Sequence, residues 1–230
     1  MYEPTRKQFY NQYLCRMVIN CPGGRLIYNK DDDLTTALAH RINFARTRNW
    51  GGSWMNHSDH LAESNIDQIA NLKSIREDFE KVTKFRVEEP SIQIYTEDED
   101  TLREIAMRIL PEFQSEIQLI QMPSSDEHTD LLKEGKILTK PSSKIAYRYK
   151  IMLRDGTYDA TVRQQILNYI INLGEDEAKA SAGTLHKLER HHSYLWGAFI
   201  YVNDMKILTF LNLICPSMVL NIHELAKVEE

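Results

Sequence analysis

The sequence predicts an α+β chain built from two halves of the same kind in tandem. Three observations carry this. Period-2 apolar runs alternate with helical stripes along the whole chain. A strand and a capped helix open each half. A strand-helix-strand pattern also recurs: Ile94-Tyr95-Thr96-Glu97-Asp98 leads to Leu102, Ile105, Pro111, Ile117 and Ile120, and Ile200-Tyr201-Val202-Asn203-Asp204 leads to Leu208, Leu211, Pro216, Ile222 and Leu225. One single-residue gap before the proline aligns the two copies.

Tyr13 to Ile19 reads as a strand with Tyr13, Cys15, Met17 and Ile19 on one face, and Cys21-Pro22-Gly23-Gly24 as the turn that ends it. Asp31-Asp32-Asp33 supplies N-caps and favourable dipole charge to a helix with the stripe Leu34, Leu38, Ile42 and Ala45. Arg46 to Trp54 is polar, aromatic and glycine-bearing, and reads as a loop. A second helix carries Ile66, Ile69, Leu72, Ile75, Phe79 and Val82. Phe85 to Val87 and Ile92 to Tyr95 form a hairpin around Glu88-Glu89-Pro90-Ser91. Thr101 and Glu104 make a capping box for a helix with Leu102, Ile105, Ile109 and Phe113, and Ile117 to Met122 closes the unit.

Residues 1–122 are therefore the N-terminal half. Residues 123–144, punctuated by Pro123-Ser124-Ser125 and Pro141-Ser142-Ser143 around a short helix at Leu131-Leu132, are the linker, and 145–230 are the C-terminal half. In that half Ala146 to Leu153 is a strand. Asp159 caps a helix with Val162, Ile166, Tyr169 and Ile170, and Leu185 to Leu188 continues helical. Ala198 to Val202 is a strand, Ile207 to Ile214 a helix, and Leu220 to Val228 a last strand. The order resembles the ferredoxin-like βαββαβ arrangement, which implies two helices on one sheet face and an open opposite face.

Composition narrows the classes. Apolar residues make up 42% and charged residues 27%, which places the chain among folded globular proteins. No secretory h-region and no long apolar run occurs, and Cys15, Cys21 and Cys215 lack metal spacing, so a cytoplasmic protein with reduced thiols is expected. The net charge of −5 opposes a strongly cationic surface. It is unevenly spread: residues 61–143 hold 18 acidic and 10 basic side chains, whereas 1–60 and 144–195 are slightly basic.

Candidate binding residues follow from the open sheet face. Phe199 and Tyr201 lie on one central strand, and either Tyr147 and Tyr149 or Arg148 and Lys150 lie on the other. Aromatics and cations so placed suit base stacking and phosphate contact, as in RNA-recognition domains, which Trp196 to Tyr201 partly resembles. Arg46, Arg48, Trp50 and Trp54 interleave cation and ring on a loop, a pattern that suits single-stranded nucleic acid or a protein hot spot equally. Tandem ferredoxin-like folds also resemble the repeat-associated RNA endonucleases of CRISPR systems, in which a histidine near the first helix acts without metal. His40 has a comparable place, but residues 214–230 contain no glycine and so lack those enzymes' glycine-rich segment.

His57-Ser58-Asp59-His60 and His191-His192 bring no third and fourth ligand at metal spacing, and Asp31-Asp32-Asp33 and Asp98-Glu99-Asp100 stand where helix caps are needed. No metal or other cofactor is expected. The reading is a non-catalytic nucleic-acid-binding or regulatory protein. The alternatives are an assembly protein, viral among the options, that forms homo- or hetero-oligomers, and a metal-independent endoribonuclease. The expected partner is a single strand or a protein.

Overall fold

The computed structural model describes residues 1–30, 33–47, 61, 63–113, 116–140, 145–190 and 194–228. The chain is mixed α+β and divides into two compact units, Met1–Thr129 and Asp130–Glu230, each built on a five-stranded sheet.

In the first unit the elements run β1 (Tyr2–Pro4), β2 (Cys15–Asn20), a 3-10 turn (Gly24–Tyr28), α1 (Leu34–Thr47), α2 (Ile66–Asp78), β3 (Thr83–Glu88), β4 (Ser91–Thr96), α3 (Glu99–Phe113) and β5 (Ile117–Met122). The sheet order is β1-β5-β2-β4-β3. β2 lies antiparallel to both β5 and β4, β3 is antiparallel to β4, and β1 is parallel to β5. Period-2 alternation sets the faces. Cys15, Met17 and Ile19 of β2 and Ile92 and Ile94 of β4 are buried, as are Ile69, Leu72 and Ile75 of α2 and Leu102, Ile105 and Ile109 of α3. α2 packs on α3, and α3 on β2 and β4, so these residues form one apolar layer between helices and sheet.

Two corrections concern helix ends. α3 begins at Glu99 and its first turn is capped by Asp98, whose Oδ1 accepts from the Thr101 amide at 2.7 Å. The expected Thr101–Glu104 box is thus one turn too late, because aspartate competes better for the free amides. Val82 lies beyond the end of α2 and is 49% exposed, leaving the stripe to end at Phe79.

After α4 (Asp126–Lys133), the second unit runs β6 (Ile137–Thr139), β7 (Tyr149–Leu153), α5 (Ala160–Leu173), β8 (Ala178–Ala180), α6 (Ala182–Glu189), β9 (Phe199–Val202), α7 (Lys206–Ile214) and β10 (Val219–Lys227). α4 and β6 thus fall within the segment expected as a linker. The sheet order is β6-β10-β7-β9-β8, with β6 parallel to β10 and every other pair antiparallel. Ile151, Leu153, Ile166, Ile170, Ile200, Val202, Ile207 and Leu211 form its core. The helix expected to continue through Leu188 is two helices. Gly174, at φ 78°, ends α5, and β8 intervenes before Ser181 caps α6 by accepting from the Thr184 amide.

Numbered within its own unit, the sheet behind each short parallel edge strand has the order fourth, first, third, second strand. Register then matches residues across the units. Tyr95 on the third strand pairs with Arg16 on the first and Lys84 on the second, while Tyr201 pairs with Lys150 and Lys179. Pro111 and Pro216 do not correspond: Pro111 is inside α3, and Pro216 lies in the turn after α7. α3 has 15 residues and α7 only 9, so the last strands match with a different offset. Ile120 opposite Met17 answers to Ile222 opposite Ile151, not to Leu225.

Candidate functional site

The face of the second sheet turned away from Ile151, Ile200 and Val202 carries the side chains of interest. Two rows cross it. The first is His223, Lys150, Tyr201 and Lys179, and the second is Asn221, Met152 and Phe199. Alternation forces this placement, because Ile200 and Val202 are buried at 0% and 1% exposure, so Phe199 and Tyr201 must project to the opposite side. Of the two options read from the sequence for β7, register selects Lys150 as the neighbour of Tyr201. Tyr147 precedes the strand and still reaches the site, its ring stacked on Tyr201 at 5.9 Å and 15°.

The geometry is that of a half-exposed aromatic shelf with cations along it. Phe199 and Tyr201 meet edge to face at 5.2 Å. The Lys150 ammonium lies 4.0 Å from the Phe199 ring centroid and 5.9 Å from that of Tyr201, within cation–π range. Burial pushes the Tyr201 phenol above its ordinary range, so it stays a neutral hydrogen-bonding group at neutral pH. Lys179 donates to Glu175 at 3.0 Å, and that hydrogen bond, with the carboxylate's charge, raises its pKa. Arg148 donates to Glu224 at 3.4 Å and lies over the Tyr149 ring. Both ion pairs are exposed and therefore weak.

The structure thus brings Lys150, Phe199 and Tyr201 together and sets Arg148 just before the start of β7. Lys179 and His223 belong to the same row and were missed. Lys179 lies on a three-residue strand with no readable alternation, and His223 is placed only by the register of β10. The segment read as a Trp–Arg loop is helical where it begins, since α1 runs on through Arg46 and Thr47 and exposes Arg46, and Arg48, Trp50 and Trp54 lie outside the described residues.

Two other groups weighed from the sequence stand as follows. His40 is exposed on α1. Asp33 and Asp98 each accept a first-turn amide, from Thr36 at 2.9 Å and Thr101 at 2.7 Å, which is capping. Among the described residues no cluster of three His, Cys, Asp or Glu side chains is placed to hold a metal ion, and no helix is long and apolar enough to cross a membrane. His57, Asp59, His60, His191 and His192 lie outside the described residues. No known family's sequence profile matches the chain, and no curated protein is significantly similar to it.

Proposed function

We propose that this protein binds single-stranded nucleic acid, without catalysing a reaction on it, through the open sheet face of its second unit. On this reading the two units are ferredoxin-like folds related by duplication. The observation that carries it is the row in which Tyr201 stands between Lys150 and Lys179, with Phe199 beside it. Rings offer stacking surface to any base, and the lysines to either side of Tyr201 offer cations to a backbone that tracks across the strands. Duplex is the poorer ligand, since its bases are already stacked on each other. Arg46, Arg48, Trp50 and Trp54, in the first unit, are a further candidate contact for nucleic acid.

The test is a fluorescence-anisotropy titration of labelled single-stranded and duplex RNA and DNA at several salt concentrations, with the wild type and the Phe199→Ala/Tyr201→Ala variant. Single strands should bind preferentially. Log affinity should fall with log salt at about 0.7 per phosphate neutralised. The double variant should bind about 10- to 100-fold more weakly, because stacking contributes roughly 1 to 3 kcal/mol per base. Unchanged affinity in a folded double variant refutes the proposal.

A second reading, assembly with further copies or another protein, is favoured by the large apolar side chains that the second unit exposes. Leu213 is 80% exposed, Ile171 62% and Leu220 46%. Light scattering on the free protein decides it, and a concentration-independent monomer mass removes the homo-oligomeric form.

A further inference from the structure

The first unit repeats the central row of the site. Arg16, Tyr95 and Lys84 occupy the first, third and second strands in register, as Lys150, Tyr201 and Lys179 do. The row continues to Gln121, as the other continues to His223. The first unit has Gln93 where the second has Phe199, and the two rows differ in what lies on them. Tyr201 is half-exposed, whereas Tyr95 is 3% exposed, beneath a turn of the chain's own N-terminal segment.

That turn covers Tyr95 with three rings of its own, set edge-on or tilted against it. Tyr10 meets Tyr95 edge-on at 5.0 Å and 89°, Phe9 lies 5.4 Å from it, and Tyr13 lies 6.2 Å away. Each of the first two rings also meets a cation of the row: the Arg16 guanidinium is 5.1 Å from Phe9, and the Lys84 ammonium 4.1 Å from Tyr10. The Tyr10 hydroxyl accepts from Arg86 at 2.9 Å. The turn is closed on itself, with the Phe9 amide donating to the Tyr13 carbonyl at 2.8 Å and the Tyr13 amide donating back at 2.9 Å. To present its rings it holds Tyr10 at φ 55° and Asn11 at φ 57°, a left-handed conformation that costs side-chain-bearing residues energy.

The fit is incomplete on the polar side. Arg16 Nε and Gln121 Oε1, neighbours in the row, are buried and find no hydrogen-bond partner among the described residues. The turn covers the aromatic surface of the row without stacking on it and leaves part of the row's hydrogen-bonding capacity unused.

We propose that the first unit carries a second, masked copy of the nucleic-acid site, occupied by the Phe9–Tyr13 turn, and that displacing the turn opens it to single-stranded nucleic acid. This rests on the reading given for the second unit. As a tethered occupant the turn competes at high effective concentration, so the wild-type site stays closed to a short free oligonucleotide.

The experiment counts bound oligonucleotides. Full-length wild type and a Phe9→Ala/Tyr10→Gly variant are titrated with a thymidine tetranucleotide by native mass spectrometry, the fold being checked by circular dichroism. Glycine at position 10 keeps the left-handed backbone while removing the ring. One molecule per wild-type chain and two per variant chain is the expected result, with the second lost on adding Lys84→Glu. One molecule on each refutes the masked site and leaves the second unit's site standing. None on the wild type and one on the variant refutes the reading of the second unit and supports the masked site, and none on either refutes both. If the double variant does not fold, Tyr10→Gly is titrated in its place: a second, weaker-bound molecule is expected because Phe9 still lies on Tyr95, and its absence at saturating oligonucleotide refutes the masked site.

Discussion

Glu89 fastens the turn after β2 to the β3–β4 hairpin, and its removal should selectively loosen the first unit. Its carboxylate accepts from the Gly23 amide at 3.1 Å and the Arg25 amide at 3.2 Å, and it faces Arg41 at 3.5 Å. The turn it holds is tightly constrained. Gly23 sits at φ 77°, where a Cβ would collide with Ser64 Oγ, and a Cβ on Gly24 would come within 2.7 Å of Ile92. Hydrogen bonds to a charged group contribute about 1.5 to 3 kcal/mol where shielded. The two here are only partly shielded and Arg41 is half-exposed, so Glu89→Ala should cost about 2 to 4 kcal/mol in total. Glu89→Gln, which keeps an acceptor, should cost about half as much.

Hydrogen exchange resolves the effect by unit. Protection of the Met17 and Ile94 amides should fall by about 30- to 1,000-fold in Glu89→Ala, while the Ile151 and Ile200 amides stay unchanged, since 1.4 kcal/mol is a factor of ten. A fall of less than threefold at Met17 and Ile94 would show that the carboxylate is not a fastening point.

The remaining predictions concern thiols and the sheet. Burial pushes Cys15 and Cys21 up to about 12, with Glu89 adding to the effect at Cys21. The unfolded chain then loses those protons at lower pH than the native one, so stability is level below about pH 8 and declines above about 9. The decline reaches about 1.4 kcal/mol per pH unit per thiol, and urea melts from pH 7 to 11 should show a steeper decline in the wild type than in Cys15→Ser/Cys21→Ser, which keeps only the part due to raised tyrosines such as Tyr95 and Tyr201. Native labelling with a disulfide reagent should mark Cys215 well before Cys15 and Cys21, which exposure by mass spectrometry of the labelled peptides checks. Ile200→Ala should destabilise the second unit by about 2 to 5 kcal/mol in denaturant melts, whereas Tyr201→Ala on the half-exposed face should cost less than about 1.5 kcal/mol. Equal losses would mean that Tyr201 is a core residue and its face is closed.

The elements that could be read from sequence are those whose pattern is long enough to show a period. β2 alternates over six residues and β4 over its first four, and α2 and α3 carry three-turn stripes, so their faces were legible. β1, β6 and β8 have three residues each, too few for alternation, and they are strands only because a neighbour offers a free edge. Missing β8 hid Lys179, which lies on the site although nothing near it in sequence says so. The Tyr95–Tyr201 correspondence was legible because in both copies it lies within a strand, of six residues in one and four in the other, directly ahead of a helix. The Pro111–Pro216 correspondence failed because helix length, which decides where the chain turns, can change by one and a half turns without disturbing the apolar stripe. The covering of Tyr95 by Phe9 and Tyr10 is a contact between residues 85 positions apart, and only tertiary packing creates it.

The claim that the second sheet face is where a nucleic acid lies is tested most directly by photocrosslinking. A short single-stranded oligonucleotide carrying 5-bromouridine is irradiated with the full chain, and the adducts are located by mass spectrometry. Zero-length crosslinks form preferentially to stacked aromatic rings, so Phe199, Tyr201 or Tyr147 should carry the adduct, and excess unlabelled single strand should abolish it. Adducts confined to residues 46–54, or scattered and insensitive to competitor, would contradict the assignment.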